Sequence, residues 1–182
     1  MTTTICILCG LSSLVLYKGN KMIKVMFICH GNICRSPMAE FILRKMICEA
    51  HLEGEVETSS SATSREEIWG NVGNPVYPPA VRELKKHGID PLGKRAVQLN
   101  ADDYEKYDIF IAMDDNNLRN SLRIFTSDPK GKLCKLMDFT SRGGNVADPW
   151  YTDRFDIAYN DIYEGCLGVM DWIRAEIKGR RD

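Results

Sequence analysis

Hydrophobic positions along this chain fall into two regimes: short unbroken apolar runs that end at turn residues, and longer stretches with apolar residues at helical spacing. Residues 25–28 form the first run, and with Ile23 before them they predict a strand over 23–28 buried on both faces, as in a parallel sheet. Phe41, Ile42, Met46 and Ile47 then recur at helical spacing through about Ala50, with Ser36 read as the helix cap and Pro37 as its first position. A second strand is predicted over 56–62, with Ser60 at its carboxyl end, followed by a Gly-, Asn- and Pro-rich loop over 63–79. A helix over 79–87 closes on Gly88. Beyond it the pattern predicts a short helix at 101–106, a third strand at 107–113, a helix at 116–125 and a fourth strand at 132–136. A Gly-containing loop at 137–147 precedes one long final helix over 154–177, where Gly165 and Gly168 weaken the helix but permit close packing against a neighbour. Strands alternating with helices imply an α/β domain with a parallel sheet.

The first 21 residues stand apart. Residues 5–17 are mostly apolar, but no basic residue precedes them and no small-residue cleavage site follows, which makes a poor signal peptide. Met22 stands directly before the first strand. Residues 1–21 are therefore expected to lie outside the fold, through a start assigned too early, the alternative being a genuine leader or an extra packing segment; residues 22–182 form the expected domain. Cys6 and Cys9 make a C-x-x-C, yet no second pair completes a metal site and no strand-to-helix setting suggests a redox motif.

Composition narrows the function classes. The 182 residues suffice for one domain with a real core, and 44% apolar with 27% charged residues argues against disorder. Lys and Arg number 24 against 25 Asp and Glu, so no general basic surface points to a nucleic-acid partner. Seven cysteines without regular spacing do not describe a disulfide scaffold and fit a reducing, cytoplasmic setting. No stretch reaches the roughly 18 consecutive apolar residues of a membrane span.

The chemistry concentrates between the first strand and its helix, in Cys29-His30-Gly31-Asn32-Ile33-Cys34-Arg35-Ser36-Pro37. The backbone N–H groups of such a loop, from His30 through Cys34, converge on one point, and the following helix adds its positive end. A phosphate suits that cradle. The same field stabilises a thiolate, which makes Cys29 a nucleophile of depressed pKa, and the planar fork of Arg35 can clamp two phosphate oxygens. The loop is a site for taking a phosphoryl group onto sulfur. Asp114 and Asp115 could look like a metal site, but with no His beside them they read more readily as the cap and first acid of the 116–125 helix.

The run from Cys29 to Glu40 resembles the signature of low-molecular-weight protein tyrosine phosphatases. Ser60-Ser61-Ala62-Thr63, Lys86-His87-Gly88-Ile89, Ala112-Met113-Asp114 and Asp148-Pro149-Trp150-Tyr151 follow in that family's order, so the likeness covers roughly residues 22–178. It implies an open four-stranded parallel sheet of order 2-1-3-4 with helices on both faces, a phosphatase I-like, flavodoxin-like fold. It further implies a metal- and cofactor-independent phosphotyrosine-protein phosphatase with a phosphocysteine intermediate. Phosphotyrosine proteins would be its partners, with no nucleic acid or membrane, as a monomer or weak dimer.

By the same resemblance Asp148 is the acid that protonates the leaving phenolate and then activates water, which predicts a mildly acidic optimum and a falling alkaline limb. Ser36 would donate to the Cys29 sulfur as well as capping its helix. Asn32, Ser36, Ser60 and His87 would form a hydrogen-bond network that holds the loop in shape, His87 in this supporting role rather than as a direct acid–base group. His30 would point outward while its N–H serves the phosphate. Trp150 and Tyr151 would sandwich an aromatic ring, and the apolar Ile33 favours an aromatic phosphate. The facing loop, Arg65-Glu66-Glu67-Ile68-Trp69, is lengthened, with the facing position ambiguous between Glu66 and Trp69. Cys34 is either a reversible disulfide partner for Cys29 or a packed loop cysteine. The alternatives on the same fold are a thiol-dependent arsenate reductase, which needs further redox cysteines where only Cys134 and Cys166 remain, and a phosphoarginine phosphatase. A non-enzymatic phosphotyrosine-binding module is disfavoured by Cys29, Arg35 and Asp148 occurring together.

Overall fold

The computed structural model describes residues 22–181, and the expectations for residues 1–21, with Cys6 and Cys9, lie outside them. The element order is β1 (Ile23–Cys29), α1 (Arg35–Glu49), β2 (Val56–Ala62), a small hairpin of β3 (Ile68–Trp69) and β4 (Val72–Gly73), then α2 (Pro78–Lys86). A 3-10 turn (Ala101–Glu105), β5 (Ile109–Ala112), α3 (Asp115–Phe125) and β6 (Leu133–Lys135) follow. A second 3-10 turn (Leu136–Phe139), the short α4 (Pro149–Thr152) and α5 (Phe155–Arg181) complete the chain.

The main sheet runs β2-β1-β5-β6 and is parallel throughout. With the hairpin counted separately this is the expected order 2-1-3-4. The period-two geometry of β1 divides the core between two faces. Val25, Phe27 and Cys29 join the cluster built with α1, α2 and α5, whereas Met26 and Ile28 pack with Leu99, Tyr104, Phe110 and Phe125 on the other side. Helices thus cover both faces. Among the described residues no helix is long and apolar enough to cross a membrane.

Two expectations need correction. The 63–79 segment is not wholly loop, because Gly70, at φ +59°, turns Trp69 back so that it pairs with Val72. Ser36 is not the cap of α1: Cys34 takes that place without a side-chain bond, and Ser36 lies inside the first turn with its hydroxyl drawn to the Cys29 sulfur. The glycines of α5 do serve close packing. A Cβ on Gly168 would stand 2.0 Å from the Phe139 carbonyl oxygen, and one on Gly165 would stand 2.4 Å from the Leu136 side chain. The second 3-10 turn is therefore seated directly on the last helix.

Candidate active site

In parallel α/β sheets the carboxyl ends of the strands face the ligand crevice, and the reactive residues gather there. Cys29 ends β1, Ala62 pairs with it at the end of β2, and Asp114 follows the end of β5. The loop from Cys29 to α1 turns on Asn32, which holds φ +56°, a left-handed conformation that asparagine tolerates better than most residues. This turn aims the Asn32 N–H at the Cys29 sulfur, 3.3 Å away. The Ser36 hydroxyl lies 3.0 Å from the same sulfur. Its oxygen already accepts from Asn32 Nδ2 at 2.9 Å, leaving its proton free to point to the sulfur.

The Asn32 side chain is fully buried and saturated. Its Nδ2 also donates to Ser60 Oγ at 2.8 Å, and its Oδ1 accepts from the Val97 N–H at 3.0 Å. Ser60 in turn donates to Glu40 Oε2 at 2.6 Å. Glu40 is a buried carboxylate neutralised by Lys94 at 2.9 Å and Arg44 at 2.5 Å, and Lys94 also donates to the Ser60 carbonyl. The expected network thus exists with different closing members. His87 is not among them: it caps α2, stacks on Tyr159 with ring centroids 3.7 Å apart, and lies 3.6 Å from Glu83. The chain has to pass the turn at Gly88 and Gly93 before a side chain can reach Ser60, and the one that arrives is Lys94.

Arg35 is 4% exposed and divides its fork between two carboxylates, Nη1 to Asp114 and Nη2 to Asp148, each at 2.7 Å. Burial works against its charge, but the neighbouring Cys29, Asp148 and Asp114 hold its pKa above the ordinary guanidinium range. Asp114 therefore does more than cap α3, where it accepts from the Asn117 N–H at 2.7 Å. Asp148 caps α4 through its other oxygen, which accepts from the Trp150 N–H at 3.0 Å. Burial, reinforced by Cys29 and Asp148, pushes the Cys34 thiol well above its usual range.

These groups surround a cleft of about 330 Å³. Cys29, Arg35 and the His30, Gly31, Ile33 and Cys34 stretch form its floor, and Asp148, Trp150 and Tyr151 stand on one side. Glu66 and Glu67 stand on the other, which resolves the facing position: Glu66 lines the cleft and bonds the His30 ring at 2.9 Å, while Trp69 is 73% exposed on the hairpin. Trp150 leans on Tyr77, ring centroids 5.4 Å apart, and the Tyr77 N–H donates to the Ile33 carbonyl. Asn32, Ser36 and Ser60 sit behind the floor rather than in it. Of the residues that sequence reasoning overlooked, Glu40 had a legible signal, a lone acid within the apolar run Met38–Leu43; Lys94, Glu67 and Tyr77 had none.

The family model for low molecular weight phosphotyrosine protein phosphatase matches residues 24–179. A Staphylococcus haemolyticus low molecular weight protein-tyrosine-phosphatase, PtpA, is 35% identical over 153 residues, 84% of this chain and 94% of that protein. Among solved structures, YfkJ from Bacillus subtilis superposes with a TM-score of 0.79 at 31% identity, covering 86% of this chain and 98% of its own. SP-PTP, a low molecular weight protein tyrosine phosphatase from Streptococcus pyogenes, gives 0.71 at 32% identity, covering 85% and 93%. The fold and cleft define a phosphatase of the small α/β class. The chain belongs to the low molecular weight protein tyrosine phosphatase family.

Proposed function

We propose that this protein hydrolyses phosphotyrosine in proteins through a phosphocysteine intermediate, without a metal. The observation that carries the reading is the Arg35 guanidinium, which joins Asp148, 113 residues away, to a cleft floored by Cys29. Arg35 has five N–H donors, and its two carboxylate bonds leave three for the phosphoryl oxygens, where negative charge must be held as transfer proceeds.

The Cys29 thiolate attacks phosphorus, the S–P bond forms, and the bond to the tyrosine oxygen breaks as that oxygen takes the proton of Asp148. Asp148, now a carboxylate, takes a proton from water; the hydroxide attacks phosphorus, the S–P bond breaks, and the thiolate returns. The Asn32 N–H and Ser36 hydroxyl stabilise the sulfur as attacker and as leaving group. Trp150 and Tyr151 offer apolar walls for the phenyl ring. We also propose that residues 22–182 form the phosphatase domain and that the protein is cytoplasmic, monomeric or weakly dimeric. A net charge of −1 gives no general basic surface for nucleic acid, and phosphoproteins are the proposed partners; light scattering tests the oligomeric state and cell fractionation the compartment.

The deciding experiment compares phosphotyrosine and phosphoarginine peptides and arsenate as substrates for the wild type, Cys29→Ser and Asp148→Ala, across pH and with chelator. Phosphotyrosine should turn over with chelator present, Cys29→Ser should abolish it, and Asp148→Ala should remove the alkaline limb. Arsenate reduction with added thiol and no phosphotyrosine turnover would overturn the reading.

A further inference from the structure

Asp161 is a buried carboxylate on α5, 6% exposed, that the chemistry above does not use. Burying a carboxylate is costly unless its oxygens are bonded, and both of these are bonded to a single segment. Oδ1 accepts from Arg142 Nη2 at 2.7 Å, and Oδ2 accepts from the backbone N–H of Ala147 at 3.0 Å. Ala147 is the residue immediately before Asp148. Arg142 is secured a second time by Glu164, one helical turn further along α5, at 2.9 Å. One side chain thus grips both ends of the stretch that delivers Asp148.

The stretch needs such a grip. It contains Gly143 and Gly144, both at positive φ, and it forms no helix or strand between the second 3-10 turn and α4. Apart from the bonds of Thr140 to Met137 at its start, its other ties run to the sheet side: Val146 N–H to the Met113 carbonyl at 2.9 Å, Asn145 to Asp115 at 3.0 Å and Lys135 to Asn145 at 3.4 Å. Asp161 is the tie to the opposite wall, adjoining Asp148. The Asp148–Arg35 bond cannot do the same work throughout a reaction cycle, since it weakens when Asp148 carries a proton and Arg35 turns to phosphate. The backbone anchor one residue upstream does not change with either event.

We propose that Asp161 is a positioning residue for the acid–base step: by fixing the Ala147 amide and Arg142, it holds the Asp148 carboxyl at the height of the leaving oxygen. The proposal rests on Asp148 being the acid. Displacing a reacting group by about 1 Å can cost on the order of a hundredfold in rate, so losing this anchor should be visible in catalysis.

The test uses kcat/KM, which reports formation of the phosphocysteine, for phenyl phosphate, whose leaving group needs the proton, and para-nitrophenyl phosphate, whose leaving group needs it far less. Asp161→Ala is expected to lower kcat/KM for phenyl phosphate by about ten- to a hundredfold and to affect the nitrophenyl ester several-fold less. In the Asp148→Ala background it should add nothing. Equal losses on the two esters, or full additivity with Asp148→Ala, would overturn the proposal. If Asp161→Ala does not fold, as read by thermal unfolding, the half-exposed Arg142→Ala takes its place, with the same selectivity expected at a few-fold size and equal losses again overturning the proposal. Should Asp148→Ala itself show no leaving-group selectivity, the acid assignment fails and this proposal with it. Selectivity in Asp148→Ala but not in Asp161→Ala sinks the anchor alone.

Discussion

Residues 29–36 and residues 140–152 each bring a reactive group to the same guanidinium, yet they are held by different means. The first segment is built into the core: Asn32 and Ser36 are fully buried, and their bonds run through Ser60 to an ion cluster of Glu40, Lys94 and Arg44. The second crosses the surface, ends in Trp150 and Tyr151 at 58% and 86% exposure, and depends on a few polar ties. The frame of Cys29 and the fold are therefore one object, whereas the frame of Asp148 can be altered while the fold persists. In the proposed mechanism in-line attack on phosphorus is served by a rigid seat, and the proton donor by a strap that a few polar ties hold in place while a bulky phenol enters and leaves.

The comparison can be broken most directly at Glu40. Glu40→Ala leaves Lys94, whose side chain is 13% exposed, beside Ser60 without its counter-charge, and stability should fall by about 3 kcal/mol in urea titration. Activity should fall with it; an unchanged midpoint would show that the core network is not what frames the loop. At the seat of α5, Gly168→Ala forces a Cβ against the Phe139 carbonyl, and overpacking of this kind should cost about 1–3 kcal/mol in the same titration.

On the looser side, Trp150→Ala should raise KM for phosphotyrosine peptides by roughly three- to tenfold with little change in melting temperature, since one aromatic contact contributes about 0.5–1.5 kcal/mol. A matching loss of stability would show that Trp150 belongs to the core. The smallest change is expected at Cys34. Its thiol is held protonated by burial and by Cys29 and Asp148, and the Cys134 thiol is pushed up to about 12, again by burial first. Alkylation followed by mass spectrometry at neutral pH should mark Cys29 and leave Cys34, Cys134 and Cys166 unmodified, with Cys34 labelling growing only as pH rises.

The contiguous part of the site was legible because a strand, a tight loop and a helix follow one another without a gap, so spacing alone places Cys29 and Arg35. The parallel sheet was legible for a similar reason at β1 and β5, whose buried strands leave apolar runs, whereas β2 is mostly Ser, Thr and Glu and carries none. What failed depended on where side chains fold back. The resemblance implied that His87 supports the loop, but its ring turns to Tyr159 while Lys94, beyond a second turn, reaches the Ser60 carbonyl, and spacing shows neither. Ser36 matched the preference for a cap, and only its distance to sulfur shows that the hydroxyl is engaged elsewhere. The two-residue strands of the hairpin are too short to carry a period, although Gly70-Asn71 between Trp69 and Val72 was a turn signal in plain view.

The glycine seat on α5 has a consequence for how the protein comes into being. Synthesis proceeds from the amino end, so β1, its loop and α1 leave the ribosome long before Gly165 and Gly168 exist to receive the second 3-10 turn. Asp161 arrives equally late. A translating chain would own its sulfur and its guanidinium early and Asp148, the proposed proton donor, only 113 residues after Arg35. Competence to turn over substrate then waits for α5 to emerge, and ribosome-bound chains halted before residue 161 should be unable to release phosphate from phosphotyrosine.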